Sequence, residues 1–508
     1  MVRREFALPQ IQRSDRPALS LPRRRLITTA CLLAQFMAAV ESTIVGTALP
    51  TIVGDLGGFH LFSWLFASYL LTQAISTPVY GRLADIYGRK RVFYAGASLF
   101  LASSLACGFA WGMVPLIIFR GLQGLGAGAI QPIAWTIIGD IYPPADRARM
   151  QGWLSSVFAG SAILGPALGG FIVEHLHWAI VFWVNLPVGI ATIVMLALVL
   201  DENLTQVRRR IDYAGAAMLM LGVGALLGAV VQSRGLGTQV ALTLAGSGVL
   251  MLAVLAWYET RVADPIVPLR LWVHPLIAIG NFGSLTIGIM MMCNGGYLPA
   301  YVQGAMGGTP ATAGFVLGAS SITWTVGTIL AARLMVSTSY RAACVTGAVI
   351  QLIGTVALLF LDPARGPLWA GFGASVLGLG MGFCNTTFIV AVQTAVGWGE
   401  RGAVTSVNLF MRTIGQALGA ALFGFVLSTG IARRVPGADD AINQMLQPEL
   451  RATLAPDLAA RLSGAFTAAM HEAYFLVGLL GLVTLAFGYG IPARLSPTRH
   501  AVPLAADD

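Results

Sequence analysis

Long apolar stretches separated by short polar segments run through the whole chain. Fourteen of these stretches are 18 to 29 residues long, and a helix needs about 20 apolar residues to cross a bilayer. The stretches are Leu26–Pro50, Phe62–Tyr80, Val92–Ala110, Met113–Gly139, Met150–Val173, Trp178–Leu200, Tyr213–Val231, Val240–Trp257, Pro275–Tyr297, Ala311–Ala332, Ala342–Leu361, Leu368–Val396, Ala403–Leu427 and Ala473–Ile491. This pattern predicts an all-α polytopic membrane protein with 14 transmembrane helices.

The composition agrees with this class. The 508-residue chain is 56% apolar and only 10% charged, whereas soluble domains are about 25% charged. The net charge of +9 could indicate nucleic acid binding, but the basic residues lie in short segments beside apolar stretches, as they do in membrane proteins. The five cysteines all fall inside apolar stretches. This placement argues against a disulfide framework, and no Cys/His cluster indicates a metal.

Basic residues are distributed unevenly between the two sides of the membrane. With the N-terminus placed in the cytoplasm, 23 of the 31 Lys and Arg residues lie on the cytoplasmic side and six on the outer side. Cytoplasmic loops of membrane proteins carry such an excess. Arginine outnumbers lysine 30 to 1, which favours a GC-rich bacterial genome. We therefore expect a bacterial inner membrane protein with both termini in the cytoplasm.

The spans and loops predict a 6+2+6 layout. Two six-helix halves flank a central linker with two extra helices, and parallel repeats of six spans are a known transporter plan, with the cargo site near the midplane. The predicted segments are a cytoplasmic tail (1–25), the N-terminal half (26–200), the central linker (201–273), the C-terminal half (274–493, with a long outer loop at 428–472) and a second tail (494–508). The outer loop is compatible with short interfacial helices or with a plain connection.

Glu41 is the only acidic residue deep inside a predicted span. A charge at that depth is costly and is rarely retained without a function. It lies nine residues before Pro50, and Arg120 lies seven residues after Met113. At about 1.5 Å per residue, both side chains are about 10–14 Å below the outer face. We expect the two to pair, so that a movement that changes their separation loads or releases a proton. A permanent structural ion pair is the alternative.

The polar segment 81–91 joins the second and third spans. Asp85 at a helix end, close to Arg89, predicts a charge network that closes and opens on the cytoplasmic face, while glycines permit tight backbone geometry. A generic basic turn explains the arginines alone. The residues of this expected conformational latch are Gly81, Asp85, Gly88 and Arg89.

The fifth span contains a cluster of proline and small residues. Proline bends a helix and small residues allow close helix packing, although ordinary packing explains such clusters as well. The cluster consists of Gly165, Pro166, Gly169 and Gly170.

Polar and aromatic side chains within the spans are candidates for a cargo lining. Packing or interfacial positions explain many such residues equally well. The candidates are Tyr69, Gln123, Gln131, Trp135, Trp153, Tyr297, Trp324 and Asn385.

Four of these segments together resemble the major facilitator superfamily, in its fourteen-span drug:proton antiporter branch. Segment 81–91 resembles the loop motif of the superfamily, and Arg120-Gly-Leu-Gln-Gly-Leu-Gly126 resembles the fourth-span motif, whose arginine is implicated in proton coupling. Gly165–Gly170 resembles the fifth-span antiporter motif, and Glu41–Pro50 the first-span motif. The order and spacing of the set make the resemblance specific.

The chain departs from the pattern of the branch at several positions. Glu41 stands where the branch usually has Asp, and Gly46 where it usually has Asn. Ser161 replaces a glycine of the fifth-span motif. The segment Trp178–Pro187, which ends in Asn185-Leu-Pro, resembles the entry to the sixth span, with Ala179 where an arginine is usual. The acid is retained, but its surroundings are expected to differ.

The resemblance implies the major facilitator fold and a proton-coupled exporter that works by alternating access. Cargo would be hydrophobic, cationic small molecules or drugs; the alternative is a dedicated exporter of one metabolite or lipid. We expect no enzymatic activity, no cofactor other than the coupling proton, no nucleic acid partner, and function as a monomer in the lipid bilayer. A membrane sensor or enzyme is disfavoured because the sequence shows neither a soluble signalling domain nor a nucleophile–base set. ATP-driven transport is disfavoured because the sequence lacks a phosphate-binding loop motif.

Overall fold

The computed structural model describes residues 20–142, 144–200, 212–231, 238–262, 272–396, 401–437, 439–451 and 453–493. The described residues form helices joined by short turns. The helices are α1 (Leu21–Leu56), α2 (Phe62–Tyr87), α3 (Arg89–Gly108), α4 (Met113–Ile141), α5 (Pro144–His175), α6 (Ile180–Trp183), α7 (Asn185–Val199), α8 (Tyr213–Val231), α9 (Thr238–Glu259), α10 (Pro275–Met292), α11 (Leu298–Gly304), α12 (Pro310–Ser337), α13 (Tyr340–Leu359), α14 (Gly366–Thr394), α15 (Arg401–Arg434), α16 (Asp439–Leu446), α17 (Pro448–Arg451) and α18 (Pro456–Gly490).

A helix or a helix pair occupies each predicted span. Among the described residues, eleven helical segments are long and apolar enough to cross a membrane, so the protein is a multi-pass membrane protein. The number fourteen stays a prediction, since α2, α5 and α8 are not among the eleven. The predicted tails lie largely outside the described residues, as does most of the polar part of the central linker.

Local sequence signals place the helix ends. Thr309 caps α12 by accepting a hydrogen bond from the backbone of Thr312, and Ser339 caps α13 in the same way, because a hydroxyl satisfies one of the free N–H groups of the first turn. Gly88 separates α2 from α3 with a φ of 91°, a conformation that glycine adopts readily. The side of the bundle that contains Gly88 is called the basic side below, and the other end is called the opposite side.

Two halves pack against each other, with the most extensive contacts in two helix pairs. Within the N-terminal half α1 packs on α5 and α2 on α4; in the C-terminal half α12 packs on α14 and α10 on α15. Helix α5 meets α12 and α2 meets α15 across the interface, and α8 of the central pair lies beside α2 and α15. The predicted central pair is therefore placed at the edge of the interface between the halves.

The long loop predicted at 428–472 is mostly helical. Helix α15 continues to Arg434, α18 begins at Pro456, and α16 and α17 lie between them. Helix α16 covers the opposite side of both halves: Asn443 accepts a hydrogen bond from the backbone N–H of Phe59 at 3.3 Å, and Leu446 packs on Gly304. Of the two alternatives for this loop, the structure has the short helices.

The halves are in close contact on the opposite side. Gln303 donates to the backbone oxygen of Thr47 at 2.9 Å, and the Tyr297 hydroxyl contacts the Ser63 hydroxyl at 3.2 Å. The rings of Phe62 and Tyr297 lie 5.1 Å apart. The opposite side is therefore closed in this conformation.

A short π-helix interrupts the first helix of the C-terminal half. It spans Cys293–Tyr297, between α10 and α11. Such π-bulges are rare and are frequent at functional sites. Tyr297, at its end, reaches the interface described above, and the carbonyl of Gly295 faces α1 of the other half.

Candidate functional site

Glu41 and Arg120 form an ion pair in the interior of the N-terminal half. Glu41 on α1 is 0% exposed and Arg120 on α4 is 2% exposed. The second carboxylate oxygen of Glu41 accepts a hydrogen bond of 2.6 Å from the side-chain amide of Asn185. Three helices, α1, α4 and α7, therefore meet at one carboxylate, and the pairing expected from matching depth is present.

The guanidinium group of Arg120 has partners on several sides. One Nη atom donates to Oε1 of Gln123 at 2.7 Å. The Cζ atom of the guanidinium lies 4.1 Å from the centroid of the Tyr69 ring and 5.8 Å from that of Phe182. A cation over an aromatic face is attracted by the ring quadrupole. These contacts hold the arginine where its charge faces Glu41.

Uncharged polar groups close the network around the ion pair. Gln123 donates to the hydroxyl of Ser104 at 3.1 Å, and Ser104 donates to the backbone oxygen of Phe182 at 2.7 Å. The amide of Asn185 also approaches the Ser104 hydroxyl at 3.4 Å. We call Glu41, Arg120, Gln123, Asn185, Ser104 and Tyr69 the Glu41 network.

The sequence indicated most members of the Glu41 network but not all. In the sequence Asn185 belongs only to the span-entry pattern, and no motif distinguishes Ser104. Both are buried polar residues within spans, and buried polar groups are normally hydrogen-bonded. A polar residue within an apolar span therefore predicts a hydrogen-bond partner, but it does not identify that partner as Glu41.

Close backbone packing joins the Glu41 helix to the C-terminal half. Gly46, five residues after Glu41, lies against the carbonyl of Gly295 in the π-helix, where a Cβ on Gly46 would be 2.6 Å from that oxygen. A separation under about 3 Å requires one of the two helices to shift. The departure from the usual asparagine at this position thus has a physical reason.

The cluster on α5 lies where three helices converge. Gly165 and Gly169 pack on Thr43 and Thr47 of α1, and Gly170 packs on the start of α12. The Pro166 carbonyl faces Gly314 of α12. The predicted antiporter motif is therefore in contact with both the Glu41 helix and the other half.

The polar segment between α2 and α3 is held by charged and backbone contacts. Arg89 forms an ion pair with Asp140 at the end of α4. Lys90 donates to the backbone oxygen of Leu200 at 2.6 Å, at the end of α7, where a helix carries partial negative charge. Gly81 lies within α2. The side chain of Asp85 lies outside the described part of the structure.

The remaining lining candidates occupy different environments. Trp135 donates its ring N–H to Gln35 at 3.0 Å, and Tyr297 is buried at the interface between the halves. Asn385 is buried with an unpartnered side-chain oxygen. Gln131 and Trp324 are partly buried, whereas Trp153 is 54% exposed. No group of three or more His, Cys, Asp or Glu side chains that could hold a metal occurs among the described residues.

Comparison with known proteins identifies the family. The family model described as Major Facilitator Superfamily matches residues 31–420. The chain belongs to this superfamily. The helical fold agrees: an inward-facing, unoccupied structure of a bacterial homologue of the human lysosomal transporter Spinster aligns with a TM-score of 0.68 at 13% identity, over 93% of this chain and 97% of that one.

Several curated relatives of this superfamily member are multidrug transporters. Multidrug transporter protein MdtP of Bacillus subtilis is 33% identical over 427 residues, which cover 80% of this chain and 76% of that protein. Multidrug resistance protein 3 of the same organism is 31% identical over 405 residues, with 79% of each chain covered. Multidrug export protein EmrB of Haemophilus influenzae is 28% identical over 414 residues, which cover 79% of this chain and 80% of that protein. These relatives fit the drug:proton antiporter branch.

Proposed function

We propose that this protein exports hydrophobic small molecules, including drugs, in exchange for protons. The observation that carries the proposal is the buried Glu41–Arg120 ion pair with Asn185 on the second carboxylate oxygen. The names of the relatives support drug efflux as the physiological activity. The basic side would face the cytoplasm of a bacterial cell, in agreement with the excess of basic residues there.

The chemistry of the proposed coupling follows from charge balance. While Glu41 is deprotonated, its charge is matched by that of Arg120, and the pair is tolerated in the interior. A proton that arrives at Glu41 removes the attraction and leaves Arg120 as an unmatched buried cation, which is unfavourable. Protonation therefore favours a rearrangement of α1 against α4.

The neighbours of α1 would carry this rearrangement to the interface between the halves. Helix α1 contacts the π-helix through Gly46 and the α5 cluster through Thr43 and Thr47. Both contact regions adjoin the other half, so a shift of α1 alters the packing that closes the opposite side. We infer that loading of Glu41 with a proton is linked in this way to alternating access.

The test is dye efflux from proteoliposomes under an imposed pH gradient. Wild-type protein should move a hydrophobic dye against its gradient, and a protonophore should stop the movement. Glu41→Gln should bind the dye but lose pH-driven transport. Efflux that is unchanged in Glu41→Gln and insensitive to the protonophore would remove Glu41 from the mechanism. A panel of cargo would show whether the protein accepts many compounds or one metabolite.

The surroundings of Glu41 bear on the charge of the cargo. The expectation of a cationic cargo came from the resemblance to the drug:proton antiporter branch and from the deep position of this acid. In the structure Glu41 is fully buried and already paired with Arg120. The network as a whole is therefore close to neutral, and a cationic cargo has no unmatched anion to bind within it.

A further inference from the structure

Arg412 on α15 is a second arginine deep within the spans, and it is unpaired. It makes no hydrogen bond or ion pair with any described residue; its Nε atom is buried without a partner. The two Nη atoms also lack partners among the described residues, and they keep a small accessible surface. The side chain therefore carries a charge that no described residue matches.

In the part of the chain that the structure describes, no acidic side chain pairs with Arg412. Helices α10 to α15 contain no Asp or Glu. Glu472 of α18 forms ion pairs with Arg433 and Arg434, which lie about 32 Å beyond Arg412 along α15. Arg412 lies eleven residues, about 16 Å, from the start of α15, which is too deep for the side chain to reach the polar end of the helix.

The side chain lies on the face of α15 that is turned toward α10 and α14. Thr405, seven residues earlier on α15, accepts a hydrogen bond from Gln393 of α14 at 2.9 Å. Gln416, four residues later, reaches the sulfur of Met291 on α10 at 3.4 Å. Residues spaced by seven and four share one face of a helix. Arg412 is thus directed into the C-terminal half and away from the lipid.

Asn385 of α14 lies at the same level as Arg412. The backbone of Arg412 contacts Gly288 of α10. Phe388, three residues from Asn385, contacts Gly283 of α10, which places Asn385 about one turn from there, near Gly288. The side-chain oxygen of Asn385 is also buried without a partner, whereas its amide nitrogen, which can donate, is accessible and makes no hydrogen bond with a described residue. Two unsatisfied polar side chains therefore occupy one layer of the C-terminal half.

This layer is level with the Glu41 network in the other half. Glu41 is five residues, about 7.5 Å, from Gly46 along α1, and Gly46 packs on Gly295. Gly288, which contacts Arg412, is seven residues, about 10.5 Å, from Gly295 in the same direction. The two sites thus differ by only about 3 Å along the bundle axis. Cargo bound between the halves at this depth would meet a neutral network on one side and a cation on the other.

We propose that Arg412 binds an oxyanion of the cargo, such as a carboxylate or a sulfonate, and that Asn385 donates a second hydrogen bond to it. The cargo class is then hydrophobic molecules that bear an acidic group. The planar guanidinium binds such groups with two parallel hydrogen bonds, and the cargo supplies a negative charge that no described residue provides there. The inference depends on the proposed export function, whose cargo it specifies.

A pair of matched dyes tests the inference. One is a rhodamine with a free carboxylate, and the other is the ethyl ester of the same dye, which lacks the oxyanion. In detergent without a pH gradient, wild-type protein should bind the carboxylate dye at least about tenfold more tightly than Arg412→Gln does, the equivalent of about 1.4 kcal/mol. Binding of the ester should change less than about twofold. Arg412→Lys should keep most of the difference, and Asn385→Ala should lose part of it.

Transport assays separate this inference from the proposed function. In proteoliposomes of neutral lipid, Arg412→Gln should raise KM for the carboxylate dye and leave pH-driven transport of the ester intact. Equal effects on both dyes, or no effect on either, would overturn the inference but leave proton-coupled export in place. A preference that appears only when phosphatidylglycerol is present would assign Arg412 to a lipid headgroup and also overturn it. Wild-type protein that moves neither dye under a pH gradient would contradict the proposed function instead.

Discussion

Gly46 of α1 packs directly on the backbone carbonyl of Gly295 in the π-helical segment of the C-terminal half. The contact joins the helix that carries Glu41 to the other half, five residues from the carboxylate. It depends on the absence of a side chain at position 46. We infer that this contact transmits changes at Glu41 to the closed, opposite side of the bundle.

Replacing Gly46 with alanine should weaken the closed conformation. The added methyl group would lie 2.6 Å from the Gly295 oxygen, so α1 and the π-helix must separate. We expect dye efflux to fall at least about tenfold, equivalent to about 1.4 kcal/mol, and the distance between spin labels on the opposite side of the two halves to increase. Gly318→Ala is the matched control, because its nearest foreign atom would be 4.0 Å away. Equal behaviour of the two variants would contradict the role of Gly46.

The Glu41–Arg120 pair should behave as a unit in stability measurements. Glu41→Gln leaves a buried cation without its partner, and breaking a buried pair in this way costs about 3–5 kcal/mol. The double variant Glu41→Gln/Arg120→Gln removes both charges and should be more stable than Glu41→Gln alone. Thermal unfolding of the purified variants in detergent provides the comparison. Simple addition of the two single effects would show that the pair is not coupled.

Asn185 should influence how readily Glu41 takes up a proton. Its amide donates to the carboxylate at 2.6 Å, and a hydrogen bond to the charged form favours that form. Asn185→Ala should therefore ease protonation and move the pH of half-maximal efflux to higher values. Its stability should fall by about 1–3 kcal/mol, the cost of an unsatisfied buried group.

A second buried asparagine separates coupling from general stability. Asn408 of α15 donates to the backbone oxygen of Gly280 at 2.9 Å within the C-terminal half. Asn408→Ala should lower stability by a similar amount and leave the pH profile where it is. A shift of the pH profile in both variants would refute a specific effect of Asn185 on Glu41.

Helix α16 should help to hold the opposite side closed. Asn443 binds the backbone of Phe59 in one half, while the neighbouring Met445 and Leu446 pack on Gly304 in the other. Asn443→Ala should speed the reaction of a Ser63→Cys variant with an impermeant thiol reagent several-fold. The five native cysteines are buried, so their background reaction should be slow. Arg461→Ala, at an exposed position on α18, should leave the rate unchanged.

Depth within the membrane could be predicted from the sequence, but contacts could not. Counting residues along α1 and α4 placed Glu41 and Arg120 at one level, and the structure has them in an ion pair. The same counting could not bring Asn185 to the carboxylate, because that contact depends on the rotation and tilt of α7. Nor could it show that Gln123 supports Arg120 while Trp153 lies at an exposed position.

The sequence by itself determined the class of protein, the superfamily motifs and the two charges at matching depth. The length of the apolar stretches, the basic loops and the order of the motifs can be read along the chain. They are sufficient for these conclusions because a membrane restricts which structures can span it. Only the tertiary structure decided that Glu41 is neutralised by Arg120, that Gly46 packs on Gly295, and that Arg412 pairs with no residue that the structure describes. The two contacts join residues separated by 79 positions or more in the chain, and the third feature is the lack of such a contact. These features depend on how each helix is rotated to bury its small and polar face, and that rotation depends on all the helices packed against it.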